Sequence, residues 1–183
     1  MKKLFFIILY PFRGMVPFLD KALQFLDIEC YLRRQGVSIG KDCRLLTRHF
    51  GSEPYLIELG DHVSVGANVQ LITHDGGVWV LRHILNDPSL DIFGRISVGN
   101  NVFIGNNSII LPNVNIADNV IIAAGSVVTK SVSSNTIVAG VPAREIGSLD
   151  DYVARKKSIC VSTKNMNVNE KKTFLMNALC KRH

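Results

Sequence analysis

Apolar residues recur along this chain every six positions. Val37, Cys43, Ile57, Val63, Val69, Ile96, Val102, Ser108, Val114, Val120 and Ser126 form one column. Two residues on stand Ile39, Leu45, Leu59, Val65, Leu71, Val98, Ile104, Ile110, Ile116, Ile122 and Val128, every one of them Ile, Leu or Val. Side chains at i and i+2 point to the same side of a strand, so each pair marks a short strand with one buried face. The next residue is often glycine, at Gly40, Gly60, Gly66, Gly99 and Gly105. Two positions further stand Asp42, His62, Asn68, Asn101, Asn107, Asn113 and Asn119. Asn, Asp and Gly tolerate the left-handed backbone of a tight corner. Strand and corner every six residues predict a parallel β-helix. Three hexads make one triangular coil, and the aliphatic ladder fills the prism.

Two breaks interrupt the frame. Two extra residues between Cys43 and Ile57 predict a small bulge near His49 to Tyr55. The larger break follows His74, where residues 75–95, 21 in all, fit no hexad. A loop of that length in a compact domain usually carries function. Leu19 to Gln35 reads as an amphipathic helix, and Ser131 to Ile146 closes the coil. Leu149 to Lys157 and Asn169 to Lys181 read as short helices joined by a polar linker. The expected plan is an apolar segment and helix over 1–36, a β-helix over 37–146 with its insert at 75–95, and a helical tail over 147–183. The flanks would also cap the open ends of the solenoid.

Composition narrows the picture. The chain has 183 residues, 47% hydrophobic and 20% charged, which suits one folded domain with appendages and excludes wholesale disorder. Cys30, Cys43, Cys160 and Cys180 have no paired spacing, which favours a reduced, cytoplasmic protein over a zinc ribbon or disulfide framework. Lys2 and Lys3 precede the apolar run Leu4 to Tyr10. That run is too short for a membrane span and lacks a small-x-small cleavage site, so it reads as a docking or membrane-surface segment.

The net charge of +6 points to an anionic partner, and its distribution matters. Residues 1–36 carry six basic and three acidic groups, 37–146 seven and nine, and 147–183 eight and three. The repeat is therefore slightly acidic, which argues against nucleic acid as the primary partner. It leaves a phosphorylated cofactor or an anionic membrane surface. No GxxxxGK[ST] or GxGxxG motif supports a nucleotide fold.

His74 sits three residues after Leu71, in the corner register, and is the last residue before the insert. A corner side chain points outward, and an imidazole suits general-base work near neutral pH. From register alone, a base and a surface corner histidine are equally good readings. His62 shares the register but precedes an unbroken hexad, and reads as a corner residue. His49, in the bulge, is a candidate for reaching a neighbouring subunit.

The run Ala124-Gly-Ser-Val-Val-Thr-Lys130, followed by Ile137-Val-Ala-Gly-Val-Pro-Ala-Arg144, resembles the closing signature of the hexapeptide-repeat acyltransferases. These fold as left-handed parallel β-helices. The resemblance covers residues 37–146. With His74 before an excursion, it points to the sugar O-acetyltransferase branch that includes maltose and galactoside acetyltransferases. The tail from Leu149 is similar to that of some capsule and lipopolysaccharide O-acetyltransferases. The resemblance implies a homotrimer with active sites between subunits and acetyl-CoA as co-substrate. It implies a sugar or glycan acceptor, and His74 as the base that deprotonates its hydroxyl. It carries coenzyme A contacts onto Asn106, Ala124, Thr129, Lys130 and Arg144, the last two for phosphates. The family often has a further basic residue three positions after this Arg, and here that position is Gly147.

The insert would supply the acceptor side. Trp79 either stacks on a sugar ring or anchors the loop to a neighbouring prism. Arg82 is a candidate for a phosphate or carboxylate of the acceptor, and His83 for the pocket border. Asp75 is a candidate to orient His74. The competing functions are an N-acetyltransferase on a nucleotide-linked amino sugar, a non-catalytic β-helix assembly module, and a zinc carbonic anhydrase on the same fold. The last needs three convergent histidines, which the spacing does not offer, so no metal is expected.

Overall fold

The computed structural model describes residues 27–180, with the side chains of 179 and 180 left out. The apolar run Leu4 to Tyr10 and the first part of the helix expected from Leu19 lie outside the described residues. The chain divides into two compact units, Met1–Leu149 and Asp150–His183.

In the first unit, short strands follow one another around a triangular coil. They are β1 (Ser38–Ile39), β2 (Arg44–Leu45), β3 (Ile57–Leu59), β4 (Val63–Val65), β5 (Gln70–Leu71), β6 (Ile96–Val98), β7 (Val102–Ile104), β8 (Ile109–Ile110), β9 (Asn115–Ile116), β10 (Val120–Ile122), β11 (Val127–Val128), β12 (Thr136–Ala139) and β13 (Arg144–Ser148). They form three sheets, ordered β1-β3-β6-β9, β13-β12-β10-β7-β4-β2 and β11-β8-β5. All pairings between these named strands are parallel except β12 with β13, an antiparallel hairpin that ends the coil.

Pairing register reproduces the two breaks. Where the hexads run unbroken, Ser97 pairs Asn115, Phe103 pairs Ile121 and Ile109 pairs Val127, 18 residues apart each time. Across the small bulge, Ser38 pairs Glu58 and Arg44 pairs Ser64, an offset of 20. Across the insert, Ser64 pairs Phe103 and Gln70 pairs Ile109, an offset of 39. Each break adds its own length, 2 or 21, and the coil continues in frame on the other side.

All eleven residues of the second apolar column are buried, from Ile39 to Val128. In the first column only Cys43 is not fully buried. Its two serines are fully enclosed, and both Ser108 Oγ and Ser126 Oγ donate to Ala123 O, at 3.0 and 2.7 Å. A hydroxyl can replace a methyl here because its donor is satisfied.

The seven corner residues Asp42, His62, Asn68, Asn101, Asn107, Asn113 and Asn119 all have φ between 54° and 63°. The side chains of His62, Asn68, Asn101, Asn107 and Asn119 bond between coils. His62 Nδ1 meets Asn101 Oδ1 at 2.9 Å, and Asn101 Nδ2 donates to Asn119 Oδ1 at 2.7 Å. His62 is thus a rung of an asparagine ladder.

The base of the coil is closed by helix α1 (Ile28–Arg34). Asp27 Oδ1 caps it by accepting from Cys30 N, and Leu32 enters the core cluster. The insert is not all loop. It contains helix α2 (Val78–Ile84), of which only Val78 is buried. Beyond the hairpin come α3 (Leu149–Lys156), which opens the second unit, and α4 (Val168–Cys180) within it, close to the expected spans. No described helix is long and apolar enough to cross a membrane.

Candidate active site

His74 stands at the neck of the insert. Asp75 N donates to Ile92 O at 2.9 Å and Gly94 N donates to Thr73 O at 2.8 Å, with His74 paired antiparallel to Phe93. This pairing replaces the corner conformation expected from register, and His74 does not share the positive φ of Asn68 or Asn107. The two ends of a 21-residue excursion are thereby tied together beside the imidazole.

The ring is half exposed on one side and held on the other. Nδ1 lies 3.0 Å from Ser52 Oγ and 3.7 Å from Glu53 Oε2. Glu53 is 16% exposed and accepts two hydroxyl donors, Ser52 Oγ at 2.9 Å and Thr73 Oγ1 at 2.8 Å. Thr73 is fully buried, and its oxygen accepts from Glu53 N at 3.4 Å. Gly51 has φ of 63°, and a Cβ there would collide with Thr73 Oγ1, so only glycine lets the bulge lie this close.

The carboxylate that reaches the ring is Glu53 of the preceding coil, 3.7 Å from Nδ1, where the sequence suggested Asp75. Asp75 Oδ1 instead accepts from Gly77 N at 2.8 Å and fixes the turn into α2. Ser52, Glu53 and Thr73 were missed by sequence reasoning. The signal lay in the bulge. His49 bridges Gln70, an offset of 21, and the same offset carries Glu53 onto His74.

The insert's side chains separate into two groups. Arg82 is turned inward, with Nε donating to Leu90 O at 2.7 Å and Nη2 paired with Asp91. These two bonds clasp the insert. Trp79 is 75% exposed, and Val80, Ile84 and Leu85 are exposed beside it on α2 and its end. His83 and His49 are exposed.

The five residues expected to meet coenzyme A gather around the three-stranded sheet that also leads to His74. Asn106 and Ala124 precede β8 and β11, on one corner. Gly125 N donates to Asn106 O at 2.9 Å, which stacks the two coils. The Asn106 side chain is partly used, since its Oδ1 accepts from Ala67 N at 2.9 Å. Thr129 and Lys130 follow β11 as His74 follows β5. Ala143 N donates to Val127 O at 2.8 Å, which brings Arg144 beside the same strand. Lys130 and Arg144 are both exposed.

This donor set fits a coenzyme A: two exposed cations for its phosphates, and a small corner for its amide chain. A Cβ at Gly125 would meet nothing within 4 Å, so that corner is open. Among the described residues, no three His, Cys, Asp or Glu side chains converge as a metal site would require. A separate groove of about 360 Å³ lies on the six-stranded sheet, lined by Arg44, Ser64, Phe103 and Ile121 among others, and does not include His74.

Comparison with known proteins agrees with the repeat. Residues 95–130 match the model for the bacterial transferase hexapeptide (six repeats). Protein CapG of Staphylococcus aureus is 50% identical over 149 residues, covering 80% of this chain and 86% of that one. The structure of a maltose O-acetyltransferase from Clostridium difficile 630 superimposes with a TM-score of 0.52 at 25% identity, covering 77% of this chain and 88% of the other. A galactoside acetyltransferase in complex with coenzyme A superimposes with a TM-score of 0.57 at 28% identity, covering 76% of each. Repeat, coil and relatives agree, and this chain belongs to the hexapeptide-repeat acetyltransferases.

Proposed function

We propose that this chain transfers an acetyl group from acetyl-coenzyme A to a hydroxyl of a sugar, a unit of a surface polysaccharide, with His74 as general base. The observation that carries this reading is the position of His74. It is held at the neck of the insert, three residues past β5, and the same three-stranded sheet leads through β11 to Lys130, with Arg144 brought beside β11 by the Ala143–Val127 bond. When bound, acetyl-coenzyme A supplies the thioester carbonyl that the acceptor oxygen attacks. His74 removes the hydroxyl proton as that bond forms, a contribution of about 10² to 10⁴ in rate for a positioned base. Lys130 and Arg144 hold the phosphates, and the open corner at Ala124 and Gly125 admits the amide chain.

In this reading the coil winds left-handed and three copies assemble with sites between them. Trp79, Val80, Ile84 and Leu85 support this, because a short helix with that much exposed apolar surface is suited to cover a neighbouring prism. The basic excess of residues 147–183, eight against three, supports an acceptor on a lipid-linked precursor at the cytoplasmic face of an anionic membrane.

An acceptor screen with free-thiol release as readout tests the reaction. Sugar hydroxyls should be acetylated, and exclusive acetylation of amines would overturn O-transfer. His74→Ala should abolish transfer while coenzyme A still binds. Turnover near that of the unmodified enzyme would sink the base assignment.

A further inference from the structure

We infer that Glu53, acting through Ser52, is a positioning residue that fixes the tautomer of His74 so that Nε2 carries the free lone pair. The inference rests on the base role proposed for His74. The Ser52 hydroxyl has one hydrogen, and Glu53 Oε2 lies 2.9 Å from its oxygen. A carboxylate can only accept, so that hydrogen points to Glu53. The Ser52 oxygen is then left with lone pairs toward His74 Nδ1, 3.0 Å away. A hydrogen bond forms there only if Nδ1 carries the ring proton, and Nε2 is consequently unprotonated.

Thr73 makes the arrangement rigid. Its hydroxyl is fully buried and donates to the same Oε2 at 2.8 Å, so the carboxylate is pinned from two sides. The carboxylate also lies 3.7 Å from Nδ1. During transfer, the acceptor's proton moves to Nε2 while Nδ1 keeps its own. The ring becomes an imidazolium facing Glu53 across Ser52, and it returns to neutral when Nε2 passes the proton to the departing sulfur. Glu53 thus acts as the orienting carboxylate of a triad does, with a serine hydroxyl interposed. The two-residue bulge in the coil is what brings both residues under the imidazole.

The test is ¹⁵N spectroscopy of the imidazole rings in the full chain, at a pH where His74 is neutral, with His74→Gln used to assign its signals. The native protein should show a protonated Nδ1 and an unprotonated Nε2. In Glu53→Gln the side-chain amide can donate to Ser52, and the tautomers should mix or invert. Turnover should fall at least about ten-fold, up to the roughly 10⁴-fold loss that a wrong tautomer causes in a serine protease triad. KM for acetyl-coenzyme A should stay within about two-fold, since Glu53 touches neither phosphate cation. Ser52→Ala, at an exposed position, should lower turnover without unfolding the coil, and the double variant should be no worse than Glu53→Gln alone. An Nε2-protonated ring in the native protein, or an unchanged tautomer and turnover in Glu53→Gln, would overturn the inference. If His74→Ala kept full activity, the base reading would fall by itself, while the ring spectra would still decide whether Glu53 sets the tautomer.

Discussion

Arg82 clasps the insert shut by reaching across it to Asp91, with its Nε on Leu90 O at 2.7 Å. The clasp joins the last turn of α2 to the segment that returns to the coil. Arg82→Ala should therefore loosen residues 75–93 without melting the prism. Faster amide hydrogen exchange in α2 is the expected signature, with a change in global stability of no more than about 1 kcal/mol for so exposed a pair. KM for the acceptor should rise more than KM for acetyl-coenzyme A. Unchanged exchange in α2 would show that the neck pairing alone holds the insert.

Much of this architecture was legible because a β-helix repeats its physics. One aliphatic pair and one corner residue recur in every hexad, so each position is checked by ten others. Positions such as Ile110 and Asn113 could be assigned to core and corner without any long-range information. His74 stood out because it ends the frame. Its partner was not, because the bulge that carries Glu53 has no repeat to be read against. Asp75 was the nearest carboxylate in sequence, but neighbours along a chain point apart. The useful neighbour lies one coil below, at an offset that only the His49–Gln70 bridge reveals. The Arg82 clasp was hidden for a related reason. An arginine in a loop resembles a ligand-binding group until its own loop supplies the carboxylate.

Gly51 gives a second test of the bulge. Its φ of 63° and its approach to Thr73 both exclude a side chain. Gly51→Ala should cost about 1–2 kcal/mol from backbone strain alone. It should also push Thr73 away from Glu53, so turnover should fall further than stability predicts. Circular dichroism melts and steady-state assays on the same preparation separate the two effects. A variant that melts early but turns over normally while folded would show that Thr73 does not hold the carboxylate in place.

The corner ladder makes a quantitative claim about stability. Asn101 has φ of 55°, accepts from His62 Nδ1 through Oδ1, and donates to Asn119 through Nδ2. Asn101→Ala loses both the side-chain bonds and the tolerance for left-handed backbone, and should cost about 2–3 kcal/mol. Asn101→Gly keeps the backbone freedom and should cost about half as much. Equal destabilisation by the two would assign the whole effect to the side-chain bonds. Activity per folded molecule should be unchanged in both, since the ladder lies away from the sheet leading to His74.

The cysteines should react in order of exposure. Burial pushes the Cys43 thiol up, with the Val63 backbone bond opposing, and burial likewise pushes Cys30 up. Cys160 is exposed. With Cys180 changed to serine, alkylation at mildly alkaline pH should label Cys160 first and Cys43 slowly. A thiol raised in the fold stabilises it below the unfolded pKa, and that contribution is lost as pH rises through the folded value. Melting temperature should accordingly decline on the alkaline side, and Cys43→Ala should flatten part of that slope. Rapid labelling of Cys43 in the folded protein would mean that the first coil opens readily.

Lys130 and Arg144 come from different parts of the closing turn, yet both lie at β11, because Ala143 N is bonded to Val127 O. If both meet the cofactor's phosphates, removing either should weaken binding of coenzyme A and leave the acceptor term nearly untouched. Each charge-assisted contact is worth about 1.5–3 kcal/mol, so Lys130→Ala or Arg144→Ala should raise the cofactor KM by roughly ten- to hundred-fold. Arg144→Lys should recover only part of this, since an ammonium cannot present the paired donors of a guanidinium. Dephospho-coenzyme A, which lacks the 3′-phosphate, provides the discriminating substrate. The residue that binds that phosphate should lose little when the truncated cofactor is used, whereas the residue on the pyrophosphate should lose as much as before. An unchanged cofactor KM in both single variants would remove these two cations from the site and move the phosphates elsewhere on the coil.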